Sequence, residues 1–166
     1  RGPCTSGPTL VLPQLVLEPT LSFPVLRLKP KHDRRVRSGH PWIFSNEIQD
    51  RDLEVKPGET VDIVDSKGGF IGRGYFNPAS LIAVRLLTRN RKEAIDTVTF
   101  FEQRLRNAHR YRQTIYPDRT SLRLIHAEGD QLPGLVIDRY GDVLAVQITT
   151  LGMQTRKALL REVIEN

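Results

Sequence analysis

The sequence predicts an α+β protein of two folded units. A small β-rich barrel comes first, then a linker helix and an incomplete α/β unit of order strand, strand, strand, helix. Three observations carry this. Short segments that alternate apolar and polar residues recur between Gly and Pro turns from Val25 to Thr88. Apolar residues then recur at spacings of three and four from Ile95 to Tyr111. Three further alternating segments and a helix with one apolar face complete the chain.

Before Val25 the segment TLVLPQLVLEPTLSFP is apolar, but Pro8, Pro13, Pro19 and Pro24 interrupt any helix. No small-residue cleavage site follows it. Residues 1–24 are expected to be a disordered or artefactual extension.

The barrel is assigned to residues 25–91. VLRLK places Leu26 and Leu28 on one side and Val25, Arg27 and Lys29 on the other, as a half-buried strand does. HDRRVRSG reads as a helical turn closed by Gly39 in the left-handed conformation, after which His40-Pro41 forces an extended chain into WIFSNEI. Trp42 and Phe44 share a parity there and are expected to anchor the barrel core; base stacking by Trp42 is the alternative. TVDIVD and FIGRGYF flank an SKGG hairpin turn, and NPAS leads into LIAVRLLT. Five such strands in about 65 residues point to a closed or nearly closed barrel.

Residues 92–117 are expected to form the linker helix, with Asn90 as its N-cap and Glu93 as capping-box partner. Tyr116-Pro117-Asp118 ends it. Residues 118–166 supply SLRLIHA, GLVIDRY and VLAVQITT and then GMQTRKALLREVIEN, with Gly141-Asp142 too short for anything but a hairpin. Three strands and one helix bury little surface. This last unit therefore reads as truncated.

Composition narrows the function. The 166 residues are 39% hydrophobic and 27% charged, as in a folded domain, and 25 Lys and Arg against 19 Asp and Glu give net +6. That balance favours a polyanionic partner, nucleic acid ahead of an anionic membrane. No apolar run reaches the roughly 20 residues of a membrane span. The single Cys4 excludes a disulfide framework and a cysteine zinc cluster and is consistent with a reducing, cytoplasmic location. His32, His40, His109 and His126 lack metal-ligand or triad spacing, so no metal is expected. GGFIGRG departs from the spacing of a nucleotide loop and alternates as a strand. Paired carboxylates, Asp62 with Asp65 and Glu128 with Asp130, read as turn or sheet-edge residues.

The basic cluster is the candidate site. Arg27, Lys29, Lys31, Arg34, Arg35 and Arg37 lie within eleven residues against one acid, Asp33, and Lys67 and Arg73 follow. Phosphates need guanidinium and ammonium groups held in place, and unpaired bases need a plane to stack on. Arg34, Arg35, Arg37, Lys67 and Arg73 are thus expected to contact phosphate, and His40 or Tyr75 sugar or base.

The segments LKPKHDRRVRSGHPWIFSNEI, PGETVDIVDSKGGFIGRGYFNPASLIAVRLLT and HAEGDQLPGLVIDRYGDVLAVQ resemble, in that order, the N-terminal half of the ribosomal large-subunit RNA methyltransferase I family. The resemblance implies a PUA-like RNA-binding barrel, a small middle α/β domain and, in the full-length family member, a Rossmann-like domain. That last domain binds S-adenosylmethionine and methylates cytosine at C5 in large-subunit rRNA. The resemblance also permits a homodimer. Such chemistry needs a nucleophile, normally a thiolate, and a glycine-rich donor-binding turn. Cys4 lies outside the matched segments, and the matched part contains no such turn. This chain is therefore expected to bind RNA, to hold no cofactor and to be inactive alone. A stand-alone RNA- or ribosome-binding adaptor and a barrel that binds an acidic protein surface are the alternatives.

Overall fold

The computed structural model describes residues 23–49 and 54–165. Residues 1–22, which make up most of the expected extension, lie outside the described residues. Five strands form the first sheet: β1 (Val25–Arg27), β2 (Trp42–Phe44), β3 (Thr60–Val64), β4 (Phe70–Phe76) and β5 (Ile82–Thr88), in the order β1-β3-β4-β5-β2. β1 runs parallel to β3, and the other pairs are antiparallel. The sheet curls far enough for its two edges to meet. A bridge between Leu28 and Ile48, with Lys29 N–H donating to the Glu47 carbonyl and Gln49 N–H to the Arg27 carbonyl, joins them. Inside are Leu26, Leu28, Val36, Ile43, Val61, Ile63 and Val84, all fully buried. The alternation read in VLRLK therefore holds.

The parity of β2 runs opposite to expectation. Ile43 is fully buried, whereas Trp42 and Phe44 are half-buried on the outer face. Both lobes of the motif supply the reason. Phe44 lies under the Arg35 guanidinium at 4.7 Å, and the Trp42 indole faces the second unit. FIGRGYF forms the β4 strand, so its glycines cradle no phosphate. A Cβ on Gly74 would stand 2.1 Å from the Arg85 carbonyl oxygen, which is why the two strands can approach only where a side chain is absent.

The linker helix α2 spans Val98–Ile115 and begins later than the capping pattern implies. Asn90 caps a turn instead: its Oδ1 accepts from Lys92 N–H and its carbonyl from Glu93 N–H. Thr97 is the helix cap, its Oγ1 accepting from Phe100 N–H. Ile95 is buried ahead of the helix, and Tyr111 is exposed on it. The helix ends at Tyr116 as expected.

A second sheet of order β6-β7-β8 follows, all antiparallel: β6 (Ser121–His126), β7 (Leu135–Tyr140) and β8 (Val143–Ile148). The final helix is divided into α3 (Leu151–Gln154) and α4 (Lys157–Glu165), with Arg156 at the break. One core joins the two units. Tyr75 and Leu87 of the barrel pack with Ile95, Phe100 and Phe101 and with Leu135, Met153 and Leu160 beyond the helix. β8 is exposed along almost its whole length, Val143 at 65%.

Candidate nucleic-acid interface

The short helix α1 (Arg34–Arg37) turns its one apolar residue, Val36, into the barrel and Arg34 and Arg37 outward. Gly39, at φ +107°, reverses the chain at its end. The turn between β3 and β4 stands next to it, and Asp65 joins the two. Its carboxylate accepts from Arg37 at 2.5 Å and, through Oδ1, from the backbone N–H groups of Lys67 and Gly69 at 2.8 Å each. Arg37 also donates to Asp33 at 2.7 Å. The two N–H groups, with Arg37 behind them, hold the Asp65 carboxyl below the usual carboxylate range. Hydrogen bonding to Arg37 does the same for Asp33 and raises the guanidinium. Arg27 adds bonds to the carbonyls of Asp65 and Ser66 at 3.3 and 3.4 Å.

On this frame, Arg34 and Lys67 are exposed, and among the described residues their charged ends have no partner. Arg37 remains half open. These three form a cationic face shared by α1 and the hairpin.

Arg35 and His40 do a different job. One Arg35 nitrogen donates to Glu47 at 2.8 Å and to the Trp42 carbonyl at 2.9 Å, and the other meets His40 Nδ1 at 2.8 Å. Trp42 N–H donates to the same Nδ1 at 3.1 Å, so that atom is an acceptor and the ring proton sits on Nε2. Both side chains thus brace the turn from α1 into β2. Glu47 also accepts from Phe44 N–H at 2.7 Å.

Arg73 and Tyr75 do not belong to the interface. Arg73 is 1% exposed. It sits in mid-strand opposite Asp62, donating to both carboxylate oxygens at 2.6 and 3.1 Å and to the Glu93 carbonyl at 2.7 Å. Its cation stacks on Phe23 at 4.1 Å. Tyr75 is 5% exposed and faces the second unit. Its ring carries the Arg156 guanidinium 3.9 Å from the centroid, and burial raises its hydroxyl pKa far above the ordinary value. Side chains buried to this extent, and in Arg73's case committed to Asp62 and the Glu93 carbonyl, do not reach a phosphate outside the sheet. The Asp62 and Arg73 pairing was the overlooked signal, since opposite charges on adjoining strands mark a cross-strand ion pair.

Arg156 is the main tie between the units. It donates to the Gly58 carbonyl at 2.7 Å and Thr60 Oγ1 at 2.6 Å, and it pairs with Asp96. Trp42 Nε1 donates to Glu128 Oε1 at 2.9 Å across the same seam. A cleft opens beside it, bordered by Pro41, Leu86, Arg89, Arg104, Glu128 and Gln131. No local motif could disclose these residues as neighbours, because they come from separate elements. Among the described residues, no cluster of His, Cys, Asp and Glu could hold a metal. No helix there is long and apolar enough to cross a membrane.

Residues 26–89 match the PUA-like domain family. Ribosomal RNA large subunit methyltransferase I of Klebsiella pneumoniae is 37% identical over 87% of this chain, and that of Shewanella denitrificans 40% identical over 82%. The chain is a homologue of these methyltransferases, with a PUA-like domain. It spans about 36% of the Klebsiella protein's length and 35% of the Shewanella one's. Two solved structures share the fold at a TM-score of 0.69 and 20% identity, over 86% of this chain and 38% of theirs. One is SMU.776, described as a methyltransferase complexed with SAH; the other is described as a SAM-dependent methyltransferase from Streptococcus mutans.

Proposed function

We propose that this chain docks large-subunit rRNA for an S-adenosylmethionine-dependent methyltransferase that modifies cytosine at C5, with the catalytic groups lying outside this chain. The observation that carries the reading is the face of Arg34, Arg37 and Lys67, two of whose cations are uncommitted and all of which stand on a frame made rigid by Asp65. Cations carried on a fixed backbone, with N–H donors not used internally, neutralise phosphates without first breaking an internal pair. Attack on cytosine C6 calls for a thiolate, and the chain's one cysteine, Cys4, lies outside the described residues and the matched domain. S-adenosylmethionine would be held by the full-length family member and not by this chain, which alone should transfer no methyl group.

RNA affinity measured across a salt series tests the docking. Neutralising phosphates gives a linear fall of log affinity with log salt, and Arg34→Ala and Lys67→Ala should each reduce the slope by about 1. Affinity that ignores both salt and these substitutions would sink the reading. Methyl transfer to an rRNA transcript by this chain alone would overturn the placement of the chemistry outside it.

A further inference from the structure

We propose that the cleft between the barrel and the second unit receives one unpaired nucleobase bearing an exocyclic amino group, from an RNA held on the α1 face. This rests on the RNA-docking reading above. The cleft encloses about 400 Å³, within the ~300–1,000 Å³ of small-ligand sites. It begins where the cationic face ends, since Gly39 and Pro41 border it directly after α1.

Its polar groups are sorted in a way that suits a base better than a phosphate. Arg89 is exposed at the border, bonded to the His40 carbonyl at 3.2 Å and without a carboxylate partner among the described residues. Arg104 is held by the Leu87 carbonyl at 3.2 Å, by Gln131 Oε1 and by Glu93 at 3.6 Å. A guanidinium fixed on several sides offers a plane on which a base can stack. Pro41 and Leu86 add apolar surface. Glu128 uses Oε1 for Trp42 at 2.9 Å, with Arg85 at 3.7 Å, and Oε2 accepts no hydrogen bond among the described residues. That oxygen repels a phosphate and accepts from an amino group. A nucleotide would therefore enter base first, its phosphate staying with Arg89.

Three RNAs of equal phosphate count test this: one duplex carrying a single bulged adenosine, purine riboside or abasic ribose. Base stacking and one amino contact should make the adenosine RNA bind about tenfold more tightly than the abasic one, with purine riboside, which lacks the amino group, in between. The fluorescence of Trp42, the only tryptophan, should change with adenosine and not with the abasic RNA. Glu128→Gln, whose amide oxygen can still accept from Trp42, should bring the adenosine to purine riboside ratio to about one. Equal binding of all three RNAs with an unchanged Trp42 signal would overturn the cleft and leave docking on α1 intact. A base preference that survives Glu128→Gln would place it elsewhere. Failure of all three RNAs to bind would end both readings.

Discussion

The indole nitrogen of Trp42 donates a 2.9 Å hydrogen bond to Oε1 of Glu128, a residue 86 positions further along the chain. The tryptophan thus acts across the seam of the two units, while its neighbour Ile43 fills the barrel. Replacing each should separate these jobs. Trp42→Phe removes a hydrogen bond to a charged group and should cost about 1.5–3 kcal/mol; Ile43→Ala empties a fully buried site and should cost more, towards the upper end of about 2–5 kcal/mol. Urea unfolding followed by circular dichroism measures both, and the reverse order would return Trp42 to the core.

Arg73 and Asp62 form a buried pair whose charges have no water to fall back on. Arg73→Met alone strands the carboxylate and should destabilise the fold by about 3–5 kcal/mol. Adding Asp62→Leu should recover most of that loss. A double variant as unstable as the single one would show that the bond to the Glu93 carbonyl matters more than the pair.

Asp65 and Asp33 have pKa values lowered in the folded chain. The ionised forms therefore support the native state above the unfolded carboxylate pKa, about 3.9, and that support fades as pH falls through the lower folded values. Amide chemical shifts of Lys67 and Gly69, followed on acidification, should report an Asp65 midpoint below 3.9. In Arg37→Ala the midpoint should move up. A midpoint at the ordinary value would mean that Asp65 does not join α1 to the hairpin.

Gly152 lies in α3 against Tyr75, and a Cβ there would come within 2.3–2.4 Å of the Tyr75 Cδ2, Cβ and Cγ atoms. Gly152→Ala should cost about 1–3 kcal/mol through overpacking. The loss should be concentrated at the seam, so hydrogen exchange should rise around Arg156 and Gly58 while the β3–β4 pairing keeps its protection. Uniform acceleration across the barrel would argue against a separable seam.

The strands were legible because alternation and turn residues are local properties, and VLRLK, TVDIVD and FIGRGYF all fall where those signals put them. Capping was less so. NRKE and Thr97 both offer cap chemistry, and the choice between them depends on Ile95 being buried before the helix begins. The site divided in the same way. Arg34, Arg37 and Lys67 are outward because α1 and the hairpin turn are short and polar, which composition reveals. Arg73 and Tyr75 looked the same in one dimension, and only pairing with Asp62 and packing on Gly152 and Arg156 turn them inward. The parity of β2 was undecidable locally, since Trp, Ile and Phe are all apolar.

Arg156 gives the molecule a fixed bearing. Its planar head is keyed at once to Gly58 and Thr60 of the barrel, to Asp96 ahead of α2 and to the Tyr75 ring, while its carbonyl accepts from Leu160 N–H of α4. Rotating the barrel against α4 would break these contacts together rather than one by one. The face of α1 and the axis of α4 are therefore held at one angle, by Arg156 together with the core that the two units share.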